Sequence, residues 1–211
     1  MKLQEFERER IRKFLYDYIN DICIERKKSN DINDYRCQFF LRRGFFNLEF
    51  LSYVGYLFWD KFADEYKQTP FQIAGVETAS TPLLLAILMT APAFECEDIN
   101  CFSICRNKSP NQFEGIVNPD LPVFIVDDIC NTQKTIVLAA RYLKQAKLNI
   151  FYKAFAVVYK DHDISKQLEV KTNLNSENTN YLLYNNIEHL FKFREFVLEY
   201  DAYQMSKKFN I

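Results

Sequence analysis

Four consecutive apolar residues, Val123, Phe124, Ile125 and Val126, run directly into two adjacent carboxylates, Asp127 and Asp128. A polar stretch, Asn131-Thr132-Gln133-Lys134-Thr135, follows almost at once. A short apolar run rich in β-branched residues, without polar alternation, suits a strand covered on both faces, the setting of a parallel sheet. Over residues 135–146 the apolar positions return at helical spacing, so a helix opens directly after the turn. The first turn of a helix carries unpaired N–H groups and partial positive charge, which makes it a seat for phosphate. Thr132 and Thr135 add hydroxyls there and Lys134 adds a charge, while Asp127 and Asp128 can accept bonds from a pair of vicinal hydroxyls. A sugar phosphate satisfies both halves at once. The same pattern also suits a surface turn with a helix cap.

The rest of the chain repeats the alternation of strand and helix. Leu3, Phe6, Ile11, Phe14, Leu15, Tyr18, Ile19 and Ile22 recur at helical spacing and predict an amphipathic N-terminal helix. Residues 48–62 predict a second, well-buried helix. Phe71 to Ala74 read as a strand ending at Gly75, and Pro82 opens an apolar helix in the manner of a first-turn proline. Further strands are expected over residues 101–105, 149–159 and 181–184, with a polar excursion over 166–180 and helix over 187–208. Strands alternating with helices predict an α/β fold with a mostly parallel central sheet flanked by helices. We expect one domain over residues 1–211: a helical region and hood over about 1–66, a core over about 67–160, and a C-terminal strand and helices over about 180–211. Ligands of such sheets bind beyond the carboxyl ends of the strands, which here means after Ala74, after Cys105 and after Val126.

The 211 residues suffice for a full core, and 48% of them are hydrophobic, which excludes a disordered chain. A formal net charge of −1 gives no general attraction to nucleic acid. The basic run Arg26-Lys27-Lys28 reads as a helix end on a solvated face or, alternatively, as a phosphate patch. Six cysteines form no C-x-x-C pair, and Cys101 and Cys105 read as reduced core residues, so no protein-ligated metal is expected. The charged N-terminus and the lack of a long apolar run predict a cytoplasmic protein without a membrane span.

The segment around Asp127 and Asp128 resembles the phosphoribosyl-pyrophosphate (PRPP) motif of type I phosphoribosyltransferases. The resemblance implies that this acidic pair contacts the ribose hydroxyls and that residues Asn131, Thr132, Gln133, Lys134 and Thr135 wrap the 5-phosphate. Gln133 stands where the family has glycine. Gly75-Val76-Glu77-Thr78-Ala79-Ser80-Thr81-Pro82-Leu83 resembles the family's pyrophosphate loop, G-x-E-x-G-G-x-P-L, with Ala79 and Ser80 replacing its two glycines. Glu77, Thr78, Ala79 and Ser80 are thereby implied to bind pyrophosphate, Ser80 through its hydroxyl.

Two more segments are similar to orotate phosphoribosyltransferases. Phe39-Phe40-Leu41-Arg42-Arg43-Gly44 matches F-x-L-K-S-G, with Arg42 at the lysine near the substrate. Phe50 aligns with an aromatic that packs on the pyrimidine, although plain core also accounts for it. Arg106, Asn107 and Lys108, leading to Glu114 and Gly115, resemble the catalytic loop, shortened and without its histidine. Arg106 and Lys108 are implied as the catalytic cations, and Lys160 either meets a substrate carboxylate or is a solvated strand end. His162 reads as a surface loop residue.

The resemblance implies transfer of ribose 5-phosphate from PRPP to a pyrimidine base such as orotate, with Mg²⁺ as cofactor and a homodimer as the assembly. The replaced glycines and short loop motivate a second reading on the same fold: a PRPP- or nucleotide-binding regulator or effector within a larger bacterial assembly, for instance in antiphage defence.

Overall fold

The apolar run at Val123 does become the central strand of a parallel sheet. In the computed structural model, which describes residues 2–27, 36–105, 112–131, 133–159, 186–193 and 195–196, the chain forms β1 (Ile24–Lys27), β2 (Arg36–Phe39), β3 (Gln72–Val76), β4 (Cys101–Ile104), β5 (Phe113–Gly115), β6 (Val123–Cys130), β7 (Ile150–Tyr159) and β8 (Ile187–Lys192). Its α-helices are α1 (Glu5–Tyr18), α2 (Leu48–Gln68), α3 (Thr81–Thr90) and α4 (Lys134–Gln145). Six strands make one sheet in the order β5-β4-β3-β6-β7-β8. Its neighbours run parallel except for β4 and β5 at one edge.

The two faces of this sheet are packed differently. On one face lie α1, α2 and α3, over a layer of phenylalanines. Phe124 meets Phe62 at a ring-centroid separation of 5.0 Å and Phe71 at 4.9 Å, and Phe71 meets Phe151 at 4.9 Å. On the other face α4 lays Ile136, Ala139, Ala140 and Leu143 against Ala74, Ala154 and Ala156. The alternation of side chains along β6, with Phe124 and Val126 on one face and Val123 and Ile125 on the other, feeds both cores. Helix starts follow local chemistry: the Asn47 side chain caps α2 by accepting from the Phe50 N–H at 2.9 Å, and α3 has a proline in its first turn. The Trp59 indole N–H donates to the Ile87 carbonyl at 2.7 Å and ties α2 to α3.

Three expectations are corrected. Residues Ile187–Lys192 form a strand, and the expected helix shows among the described residues only at 193 and 195–196: β8 pairs in parallel with β7 from Ala154↔Ile187 to Tyr159↔Lys192. Ile187, Leu190 and Phe191 have helical spacing, but in a strand the adjacent Leu190 and Phe191 point to opposite faces, and both are buried. Arg26 and Lys27 end no helix; they belong to β1, which forms an antiparallel hairpin with β2 that the sequence pattern did not reveal. The N-terminal helix gives way at Ile19 to a wide π-type turn, Ile19–Cys23. Its buried line is Ile11, Leu15, Ile19 and Cys23, while Phe6 and Ile22 face outward. The strand expected over 181–184, and helix beyond residue 196, lie outside the described residues.

Phe124 is fully buried at the centre of the aromatic face. Phe124→Ala is expected to cost about 3–5 kcal/mol of stability through lost burial and a residual cavity, read as a lower urea midpoint at unchanged slope.

Candidate functional site

Strand β6 is longer than the β3 strand beside it. Their pairing ends at Gly75↔Val126, whereas β6 continues along β7 through Asp127↔Ala156 to Cys130↔Tyr159. Beyond Val126 one side of β6 is therefore free of β3, and the chain after β3 turns away through residues 77–80. The space left between them is a cavity of about 420 Å³. Asp127, Asp128, Ile129 and Thr135 line it from β6 and the start of α4; Val76 and Ala79 line it from β3 and its loop. Phe39, Phe40, Leu41 and Arg42, from the end of β2 and the 3₁₀ turn Leu41–Phe46, complete it. Three sequence-distant segments thus meet where the connections leave β3 and β6, the place open α/β sheets reserve for ligands.

The two carboxylates are held by their own backbone. Asp127 Oδ1 accepts from the Asp128 N–H at 3.1 Å, and Asp128 Oδ1 accepts from the Ile129 N–H at 2.8 Å. Asp127 is 5% exposed. Asp128 is more open, and its Oδ2 has no partner among the described residues. Opposite them, Arg42 is exposed and has no hydrogen-bond or ion-pair partner among the described residues. Its neighbour Arg43 is engaged instead in bracing: it pairs with Glu25, donates to the Ile22 carbonyl at 3.4 Å and lies 4.6 Å over the Phe40 ring. Arg43 thereby fixes Phe40 at the cavity wall.

In the turn before α4, Gln133 takes the left-handed conformation, φ 61°. For a residue with a Cβ this costs roughly 1–2 kcal/mol. Its side chain is buried and donates through Nε2 to the Tyr159 hydroxyl at 3.3 Å. Cys130 beside the turn stays a neutral thiol, because burial, and then the Asp127 charge, push its pKa up to about 12. After β3, the Glu77–Thr78 peptide is cis. Ser80 is buried and its hydroxyl donates to the Val76 carbonyl at 2.6 Å. Gly75 makes this possible, since a Cβ there would lie 2.4 Å from the Ser80 Oγ. Elsewhere, ligand atoms of Glu77, Cys105 and Glu114 lie within 4.8 Å of one another at the ends of β3, β4 and β5.

No family model matches the sequence, and no curated protein matches it. Solved structures do match the fold. A phosphoribosyltransferase from Corynebacterium diphtheriae superposes with a TM-score of 0.67 at 13% identity, over 89% of this chain and 98% of that one. The orotate phosphoribosyltransferase of Mycobacterium tuberculosis H37Rv, in complex with inorganic phosphate, gives 0.64 at 14% identity over 89% and 98%. That of Aeropyrum pernix gives 0.59 at 13% over 91% and 98%. The fold is that of the phosphoribosyltransferases. At these identities the likeness is one of fold.

Within this phosphoribosyltransferase fold, Arg42, Ala79, Asp127, Asp128 and Thr135 line the cavity. Asn131 and Lys134 are exposed at the turn, and Glu77 and Thr78 lie on the loop after β3, Thr78 exposed and Glu77 partly so. Two readings are corrected. The Ser80 hydroxyl is buried away from the cavity and donates inward to the Val76 carbonyl. Phe50 is fully buried, 5.3 Å from the Tyr18 ring, and packs so closely on Gly44 that a Cβ there would be 2.8 Å from the Phe50 ring. The cavity's aromatic side is Phe39 and Phe40 instead, and their position in the segment around Arg42 was the available signal. Arg106, Lys108, Thr132 and Lys160 lie outside the described residues, as does His162.

The Tyr159 ring stacks on His189 at 5.5 Å. Burial, chiefly, lowers the His189 pKa from its ordinary value, with Lys192 and Lys61 acting in the same direction. The unfolded chain therefore takes up this proton first as pH falls, so the stability contribution is full above about 6.5 and is lost on acidification through the lowered folded value. His189→Gln is expected to reduce the loss of stability between pH 7.5 and pH 5, compared as urea midpoints against the unsubstituted chain.

Proposed function

We propose that this chain is a phosphoribosyltransferase that moves ribose 5-phosphate from Mg-PRPP to a pyrimidine base of the orotate type, releasing pyrophosphate. The observation that carries the reading is the convergence of Asp127, Asp128, Thr135, Ala79 and Arg42 on one cavity. They come from three segments, and each segment resembles a different part of the family's substrate site. One protein with this fold, the orotate phosphoribosyltransferase of Mycobacterium tuberculosis H37Rv, was crystallised with inorganic phosphate and, separately, with PRPP.

In this reading the 2- and 3-hydroxyls of the ribose donate to Asp127 and Asp128, the latter through the open Oδ2. The turn before α4 receives the 5-phosphate, with Thr135 donating its hydroxyl and the helix N-terminus supplying partial positive charge. The loop at residues 77–79 receives the pyrophosphate. Phe40 offers a flat face to the base, and Arg42 a planar cation to a carboxylate or carbonyl on it. As the glycosidic bond to pyrophosphate breaks, positive charge grows on the anomeric carbon and negative charge on the leaving group. The chain's contribution is positioning together with cations at the leaving group, the role assigned to Arg106 and Lys108.

The cavity fits magnesium: among the described residues its ionisable lining groups, other than Arg42, are the hard carboxylates of Asp127 and Asp128, with no thiol or imidazole on the wall. When bound, the ion neutralises pyrophosphate charge, and PRPP oxygens supply most of its shell. A cytoplasmic homodimer, in which each copy's loop serves the other's site, belongs to the same proposal. Among the described residues no helix is long and apolar enough to cross a membrane.

Pyrophosphate release from Mg-PRPP across a panel of bases tests the reaction, with release specific to orotate as the expected outcome. Release with a different base keeps the transferase and replaces the substrate. PRPP binding without release from any base moves the assignment to the binding-protein reading. Asp128→Asn should weaken PRPP binding at least ten-fold, the scale of losing a charge-assisted hydrogen-bond acceptor, and unchanged affinity in calorimetry would remove the ribose assignment.

A further inference from the structure

Gln133 stands immediately before α4 with φ 61° and ψ 1°, and its side chain does not line the cavity. It is 8% exposed, and Nε2 reaches the Tyr159 hydroxyl at 3.3 Å. Tyr159 ends β7, where its backbone is in register with Cys130 of β6. The contact therefore closes a loop: from Cys130 through the turn to Gln133, across to Tyr159, and back through the sheet to Cys130. Tyr159 is itself held, its ring stacked on His189 of β8 with 24° between the planes.

We propose that Gln133 and Tyr159 form a side-chain latch that holds the turn before α4 in its ligand-ready, left-handed shape. Gln133 acts as a positioning residue here, and Tyr159 as its anchor. A glycine would reach this conformation freely but would also leave it freely. Glutamine disfavours it and stays only while the side chain is tied down. The latch thus replaces a permissive residue by a committed one. If the turn opens, the fraction of molecules able to receive a phosphate falls, and apparent affinity falls by the same factor.

The ligand part of this inference rests on the proposed phosphoribosyl function, but the latch itself does not, and the test separates them. Hydrogen exchange of the backbone amides at 133–137 is measured on the full chain without ligand. Tyr159→Phe, which keeps the ring on His189, and Gln133→Ala should each speed that exchange about five-fold, the factor associated with one neutral hydrogen bond. The double variant should be no faster than either single one, because both remove the same contact. Gln133→Gly should also speed exchange, since glycine leaves the left-handed conformation as freely as it reaches it. Unchanged exchange, or effects of the two substitutions that multiply, overturns the latch. In a parallel titration with Mg-PRPP the dissociation constant should rise by the same factor in Tyr159→Phe. If the unsubstituted chain does not bind PRPP, the proposed function fails, and the exchange data alone still decide the latch.

Discussion

The pairing of β3 with β4 on one side and β6 on the other sends the two crossovers, through α3 and through α4, over opposite faces of the sheet. Right-handed crossovers leave no other arrangement when the chain first moves one way along the sheet and then the other. A crevice opens between the carboxyl ends of β3 and β6 because the connections diverge there. Its depth comes from strand length. β6 runs to Cys130 while β3 stops at Val76, so Asp127 and Asp128 are still strand residues, held along β7, when their other side has lost its neighbour. That combination lets carboxylates be rigid and still reachable.

The unequal faces of the sheet serve the same end. Alanines at Ala74, Ala154 and Ala156 provide a small-residue surface beneath α4. The opposite face is filled by large rings, which give α2 a broad and well-interlocked seat. From that seat the 3₁₀ turn Leu41–Phe46 is carried over the end of the sheet, bringing Arg42 and Phe40 to the cavity. Phe50 belongs to this support rather than to the site, because its ring fills the space that Gly44 leaves. Arg43 does the bracing that frees Arg42 to face the cavity.

What could be read from the sequence was the set of features that depend on local pattern. The uninterrupted apolar run at Val123, the acidic pair after it and the proline-led α3 each carry a local cause, and together they place the crevice. β8 was misread because Ile187, Leu190 and Phe191 satisfy the helical period, and burial on both sides of a parallel strand removes the alternation that would have distinguished it. The hairpin β1–β2 offered no such pattern. Side-chain direction at the site was harder still. Arg42 and Phe40 were within reach of pattern reasoning because they sit inside a recognisable segment, whereas Ser80 pointing inward depends on Gly75 five residues earlier in the chain.

Three glycines of the related loops are replaced in this chain, and the structure answers each replacement differently. Ala79 adds one methyl group, and it lines the cavity without closing it. Ser80 turns its hydroxyl inward and donates to the Val76 carbonyl, so its Cβ and oxygen occupy the space over Gly75. Gln133 keeps the left-handed backbone that its side chain disfavours, and its buried contact with Tyr159, worth about 1 kcal/mol as a neutral hydrogen bond, offsets a conformational cost of the same order. A glycine is needed where no side chain can be accommodated, not where one is merely unusual. At all three positions the side chain is accommodated within the loop, and the chemistry proposed for the cavity rests on that accommodation.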